Sequence, residues 1–232
     1  MSYEAESKYF FKDASSRPEP VYPNKLPTEA RFSYRKHMKR GFDILFVLLI
    51  SIVALPVVAV LALIVSLDGH SPFFVQPRVG KDNREFNLLK LRTMVPNSDE
   101  ILKKYLAADP DLRAEWDAKQ KLKKDVRITP VGRLLRKTSL DELPQLWNVL
   151  NGTMSLVGPR PMMMDQREIY PGESYYNLRP GITGLWQISD RNDCDFSDRA
   201  LFDDLYDSSL SLATDIKVLF RTVSVVVRGT GY

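Results

Sequence analysis

ILFVLLISIVALPVVAVLALIVSL, residues 44–67, holds no charged side chain and is bracketed by Asp43 and Asp68. As a helix it would extend ~36 Å at ~1.5 Å per residue, more than the ~30 Å hydrocarbon core of a bilayer. A single membrane-spanning helix is the simplest expectation. Two features oppose it. Pro56 falls mid-run, where its missing N–H and its ring kink a helix. The flanks are also basic on both sides: Arg31, Arg35, Lys36, Lys39 and Arg40 before the run, and Arg78, Lys81, Arg84, Lys90 and Arg92 after it. A span would export one of these clusters, against the tendency of basic flanks to stay inside. A helix that enters, bends at Pro56 and returns keeps both on one face, provided that the freed carbonyls pack against protein. Residue chemistry alone leaves span and re-entrant hairpin evenly matched, because proline is tolerated in true spans.

Upstream, residues 1–30 carry Pro18, Pro20, Pro23 and Pro27 among polar side chains and read as a flexible tail. Residues 31–70 form the basic flank and the apolar run, and residues 71–232 a separate domain. Downstream, PFFVQPRVG, Lys81-Asp82-Asn83 and residues 84–94 predict strand, turn and strand. Residues 98–124 are helical in pattern, with Asp109-Pro110 opening a second helix, and Thr129-Pro130 opens a third that carries Arg133 and Arg136. Leu143, Leu146, Trp147 and Leu150 follow helical spacing, and Asn151-Gly152 ends that helix. Pro180-Gly181 and Thr183-Gly184 predict a tight turn. Residues 215–228 predict a last helix with Lys217, Arg221 and Arg228 along one side of an apolar body. That pattern suits an interfacial amphipathic helix on anionic lipid, and equally a core helix.

The chain has 232 residues and a formal net charge of +4, enough for one domain with an appendage and compatible with any anionic partner. A single cysteine, Cys194, excludes an intrachain disulfide framework and points to a reducing compartment. His37 and His70 lie far apart in sequence, which argues against a His-based metal site. The apolar run has no small-residue cleavage site behind it, so no cleaved leader is expected.

The chemistry concentrates in Ser139-Leu140-Asp141-Glu142-Leu143-Pro144-Gln145-Leu146, with Gly158-Pro159-Arg160-Pro161 following. Ser139 and Glu142 are spaced as a capping box, the structural expectation for this segment. The same position also attracts phosphate. Adjacent carboxylates repel, and a divalent cation such as Mg²⁺ relieves that repulsion by bridging one or two carboxylates to phosphate oxygens. A carboxylate is a competent nucleophile toward phosphorus, and Arg136 and Arg160 could grip phosphate through bidentate contacts.

With these blocks in view the chain resembles the bacterial sugar transferase family of monotopic phosphoglycosyl transferases. The blocks run in order from Lys39-Arg40-Gly41-Phe42-Asp43 through Phe73-Phe74-Val75-Gln76-Pro77-Arg78-Val79-Gly80 and Lys90-Leu91-Arg92-Thr93-Met94. They continue with Leu135-Arg136-Lys137-Thr138 into the acidic segment, the Pro-Arg-Pro turn, and Arg179-Pro180-Gly181-Ile182-Thr183-Gly184-Leu185-Trp186-Gln187. The Trp186-Gln187-Ile188-Ser189 wording is most similar to the exopolysaccharide-initiating galactose-phosphate branch.

The resemblance implies a helix-rich α/β fold with a small sheet, a re-entrant helix kinked at Pro56, and a catalytic domain on the cytoplasmic face of a bacterial inner membrane. It implies transfer of hexose 1-phosphate, galactose or glucose, from a UDP-sugar to polyprenyl (undecaprenyl) phosphate with release of UMP. Asp141 would be the nucleophile and Glu142 its partner, both near Mg²⁺. Arg136, Arg160 and Arg191 would bind phosphate, and Lys90 and Asp215 match family polar positions without an assigned role. The resemblance further implies downstream glycosyltransferases as partners and leaves a homodimer open. Three positions depart from the family pattern: Leu55 stands where Ser precedes the kink proline, Asp190 where Gly precedes the arginine matched by Arg191, and Leu210 where a Trp is common. The residue before the kink bears on support of the bend, Asp190 on the charge beside Arg191, and Leu210 on membrane contact. Two other readings were open: a membrane-anchored adaptor without activity, opposed by the intact Asp141, Glu142 and Arg160, and a nucleic-acid binder, opposed by the lack of any such motif.

Overall fold

The computed structural model describes residue 29 and residues 33–119, 122–189 and 196–228. Expectations for the N-terminal tail, Asp190, Arg191 and Cys194 lie outside these residues. A π-turn at Tyr34–Met38 leads into helix α1 (Lys39–Ser66). This helix stays helical through Pro56, so the proline removes a backbone hydrogen bond without ending it. Its middle is exposed, at Leu48, Leu49, Ile52, Val53, Leu55 and Val60.

Both ends of α1 are tied to the same folded domain. At the start, Asp43 accepts from Ser155 Oγ (2.7 Å) and Leu156 N (3.3 Å), and Arg40 donates to Val149 O and Leu150 O. At the far end, Val65 packs with Leu91 and Leu135. Arg92 donates to Val65 O (3.2 Å) and grips Asp68 through two nitrogens at 2.8 and 2.6 Å.

The hairpin β1 (Phe73–Val79) and β2 (Glu85–Leu91) is antiparallel, registered from Phe73 opposite Leu91 to Val79 opposite Glu85. Pro77 is tolerated in so small a sheet because both strands are edges. The turn places Asp82 and Asn83 at φ 55° and 60°, the left-handed region that Asp and Asn enter most readily. Helices α2 (Ser98–Ala108) and α3 (Pro110–Lys119) follow. Asp109 Oδ1 accepts from the N–H groups of Asp111 and Leu112, which is the predicted cap. Next come α4 (Pro130–Thr138), a 3₁₀ turn at Leu140–Glu142, and α5 (Gln145–Leu150).

A second sheet differs from expectation. The residues read as a tight turn, Gly181 to Thr183, form strand β4, parallel to β3 (Ser155–Val157). The reason is close backbone approach. A Cβ on Gly181 would stand 2.1 Å from Gly158 N, and one on Gly158 would stand 2.3 Å from Arg179 O. These glycines let two backbones touch and make no reversal. Gly158→Ala is therefore expected to destabilise the fold by about 1–3 kcal/mol, the usual cost of overpacking, as read by thermal unfolding.

The short helices α6 (Ser174–Asn177) and α7 (Leu185–Ile188) flank β4, and α8 (Arg199–Ser209) and α9 (Leu212–Arg228) close the domain. The main core joins Val47 of α1 to Phe86, Leu88, Val149, Leu156, Leu205, Tyr206 and Val218. Leu210 is 1% exposed in that core, so the tryptophan replaced there is a core substitution without membrane contact. Met162 is likewise buried, in a second cluster with Tyr170 and Tyr175, while Met164 packs at its edge. On α9, Val218 faces inward while Ile216, Phe220 and Val223 are exposed along one face.

Candidate active site

The acidic pair is positioned by two helices clamped to one strand. Thr129 caps α4, its Oγ1 accepting from Gly132 N at 2.9 Å. A Cβ at Gly132 would lie 2.0 Å from Thr93 O, so glycine lets α4 press directly onto the chain leaving β2. Arg136 Nε donates to Thr93 Oγ1 at 2.9 Å. On the other side, Asn148 of α5 accepts from Leu89 N (3.0 Å) and donates to Asn87 O (2.8 Å), locking α5 to β2. Lys90 of β2 therefore faces the turn that carries Asp141 and Glu142.

That turn is not the predicted capping box. Ser139 ends α4 in the left-handed region at φ 55° and makes no side-chain cap bond. The acids then follow in a 3₁₀ turn, and α5 begins only at Gln145. The physical reason is that Ser139 is needed to reverse the chain after α4, while Pro144 and Gln145 start the next helix. Freed from a cap, Glu142 forms an ion pair with Arg160 Nη1 at 3.3 Å.

Asp141 is 7% exposed. Burial, and then the neighbouring Glu142 charge, push its carboxyl up to about 6 against the pull of Lys90, Arg136 and Arg160. Burial also pushes Lys90 down to about 8, helped by Arg136 and Arg78. An open cleft of about 340 Å³ runs beside the pair, lined by Arg78, Lys90, Glu142, Gln145, Arg160 and Ile182 among others. In a cleft of about 380 Å³ at the root of α1, the acids are taken up by ion pairs: Arg35 with Asp207, and Lys39 with Asp43 and Asp215.

Asp141, Glu142, Arg136, Arg160 and Lys90 are thus brought together. Asp215 belongs to a different constellation. It is fully buried, accepting from Tyr34 (2.7 Å), Tyr206 (2.7 Å) and Lys39 Nζ (2.6 Å), a knot that roots α1 on α9. Sequence reasoning missed Arg78, which it counted with the basic flank of the apolar run. In an alternating strand, Arg78 and Gln76 share one face, and that periodicity was the available signal. Lys90 and Arg78 both turn into the cleft and Arg92 is neutralised by Asp68, so these three are not a simple membrane-facing flank.

A buried carboxylate turn beside a cationic cleft, joined to an exposed apolar helix long enough to cross a membrane, defines the class of site. The family model for bacterial sugar transferases matches residues 34–229, and the chain belongs to that family. It is 50% identical over 198 residues to the undecaprenyl-phosphate galactose phosphotransferase of Salmonella typhimurium, a match covering 84% of this chain and 42% of that relative. It is 49% identical over 198 residues to the UDP-galactose-lipid carrier transferase of Erwinia amylovora, with the same coverage. A shorter relative, the exopolysaccharide production protein ExoY of Sinorhizobium fredii, is 43% identical over 196 residues, 83% of this chain and 87% of that protein. The chain spans less than half the length of the first two relatives and most of the third.

Proposed function

We propose that this chain is a polyprenyl-phosphate sugar-1-phosphate transferase that takes a hexose 1-phosphate from a UDP-sugar and opens exopolysaccharide assembly. The observation that carries this reading is Asp141, buried beside a cleft lined by Glu142, Lys90 and Arg160. In the first step an Asp141 carboxylate oxygen attacks the β-phosphorus of the donor. The bond from that phosphorus to the bridging oxygen breaks, and UMP leaves with the oxygen and its charge. In the second step a phosphate oxygen of undecaprenyl phosphate attacks the same phosphorus. Asp141 is released as carboxylate and the product is a polyprenyl diphosphate sugar. No proton is consumed in either displacement, so cations rather than a general acid stabilise the leaving groups. Galactose or glucose is the expected hexose, and galactose is the sugar in the names of the two longer relatives.

Mg²⁺ fits the site through Asp141 and Glu142. The described residues hold no group of three or more metal-ligating side chains, so such an ion would draw its other ligands from phosphate oxygens and water, as Mg²⁺ commonly does. Bound there it would screen charge on the diphosphate.

The same-face topology of α1 is supported by its two anchored ends, one on Ser155 and Leu156, the other on Arg92. A helix crossing the bilayer would carry its far end away from a domain on the near side. The exposed face of Ile216, Phe220 and Val223 on α9 suits the interface below it. In a Cys194→Ser background, Ser33→Cys and His70→Cys should both react with an impermeant maleimide from the cytoplasmic side. Labelling of position 70 from the opposite side only would establish a span.

The reaction is tested by UMP release from a panel of UDP-sugars, with protein in nanodiscs, Mg²⁺ and undecaprenyl phosphate. Release with one sugar is expected, and release with none from folded protein would sink the reading. Attack requires ionised Asp141, so kcat/KM should rise with pH through an apparent value near 6 belonging to the Asp141–Glu142 pair, then level off. A profile flat down to the ordinary carboxylate range of about 4 would exclude Asp141 as the titrating nucleophile.

A further inference from the structure

The cleft has cations on both sides of the acidic turn, and the chemistry above employs those facing Asp141. On the far side Arg78 donates to Pro161 O, next to Arg160, and Arg199 packs on Phe196, which clusters with Val79 and Met162; Arg199 also feels the charges of Arg160 and Arg78. Arg78 lines the cleft beside Glu142, yet its hydrogen bonds go to neutral acceptors, Gln76 Oε1 at 2.6 Å and Pro161 O at 3.2 Å. Those bonds orient the guanidinium without cancelling its charge, and its Nε is buried with no partner. Arg199 is stacked against two rings, 4.3 Å from the Trp186 centroid and 4.5 Å from Phe196, and its Nε is also buried and unpartnered. Asp203, one helical turn on, is engaged by the Tyr170 hydroxyl at 2.6 Å. Among the described residues neither Arg78 nor Arg199 forms an ion pair, while Arg160 shares Glu142. Next to Arg199, the Trp186 indole nitrogen and both ends of the Gln187 amide are buried without partners as well.

Such a wall is incomplete without an anion. We propose that Arg78 and Arg199 bind the phosphate of the nucleoside monophosphate half of the donor, the part that leaves, while Lys90 and Arg136 face the phosphorus under attack. This rests on the phosphoglycosyl transfer reading. Lys90, Glu142, Arg160 and Arg78 line the cleft, and contacts lead away from the acidic turn: Glu142 pairs with Arg160, Arg78 donates to the carbonyl of the adjacent Pro161, and Arg199 packs on Phe196, which clusters with Val79 and Met162. A diphosphate laid on that sequence puts one phosphate at each end. When the bridging bond breaks, negative charge grows on the oxygen that departs with the nucleotide, and the second cluster meets it. Both residues are positioned to act on the leaving group, and neither is needed for acceptor binding.

The test uses the full chain in nanodiscs with Arg78→Gln and Arg199→Gln. UMP binding is measured by calorimetry in an Asp141→Asn background, and UMP product inhibition and the undecaprenyl phosphate KM in the active protein. UMP affinity should fall about tenfold or more in each variant, as expected for loss of a charged hydrogen-bond donor, with the acceptor KM within about twofold. UMP affinity within about twofold of the parent, or a loss confined to the acceptor KM, overturns the proposal. If a glutamine variant unfolds, Arg78→Lys and Arg199→Lys decide: the retained charge should keep the fold and lose part of the UMP affinity, and unchanged affinity in both overturns it. Failure of the unmutated chain to release UMP from any UDP-sugar would instead bring down the reaction class itself.

Discussion

Asp141→Asn is expected to reduce UMP release on the order of a thousandfold or more while leaving the protein folded. The amide keeps the shape of the carboxylate and cannot form the acyl phosphate. Intact mass measurement of the unmutated chain, quenched with donor and no acceptor, should carry the added mass of one hexose phosphate, and the variant should not. The same substitution should raise stability, and the sign follows from the carboxyl being pushed up to about 6 by burial and by Glu142. Unfolded, it titrates near ~3.9. The folded state therefore binds the proton more tightly, and the associated stability is full below the unfolded value and lost as pH rises through about 6. In EDTA, Asp141→Asn should melt higher than the parent at pH 8 and level with it at low pH. A variant that melts lower at pH 8 would mean that ionised Asp141 is a structural anchor, and the nucleophile would have to be sought elsewhere.

Asp215→Ala is expected to cost about 3 kcal/mol or more in unfolding free energy, the range for breaking a buried ion pair from one side. Asp215 receives Lys39, Tyr34 and Tyr206, and its removal leaves the Lys39 ammonium buried with only Asp43 at 3.3 Å. The loss should appear as a lower denaturation midpoint in detergent and easier proteolysis near residue 39, with UMP release per folded molecule preserved. The opposite pattern, full stability with UMP release abolished, would move Asp215 into the reaction.

Local chemistry was enough to read much of this fold. The hairpin followed from two β-rich runs joined by Asp82-Asn83, and α4 from Thr129-Pro130, because turns and caps are decided by a few neighbouring residues. The segment around Ser139 misled for the same reason. A serine three positions before a glutamate has the spacing of a cap, and only the path of α4 puts Ser139 in the left-handed region and turns Glu142 toward Arg160. Gly181 misled likewise, because a glycine admitting a parallel strand and a glycine making a turn look alike until the partner backbone at Gly158 is known.

The sequence by itself determined the apolar helix, the first hairpin, the family and the acidic pair, all of which are encoded by residues close together in the chain. Tertiary structure alone decided which charges face that pair. Lys90 and Arg78 come from two strands, Arg136 from a helix and Arg160 from a turn, and their convergence depends on contacts between segments far apart in the chain. It also decided that Asp215, a polar residue as prominent in sequence as any of these, holds the root of the apolar helix, because burial and the partners that complete it exist only once the chain has folded.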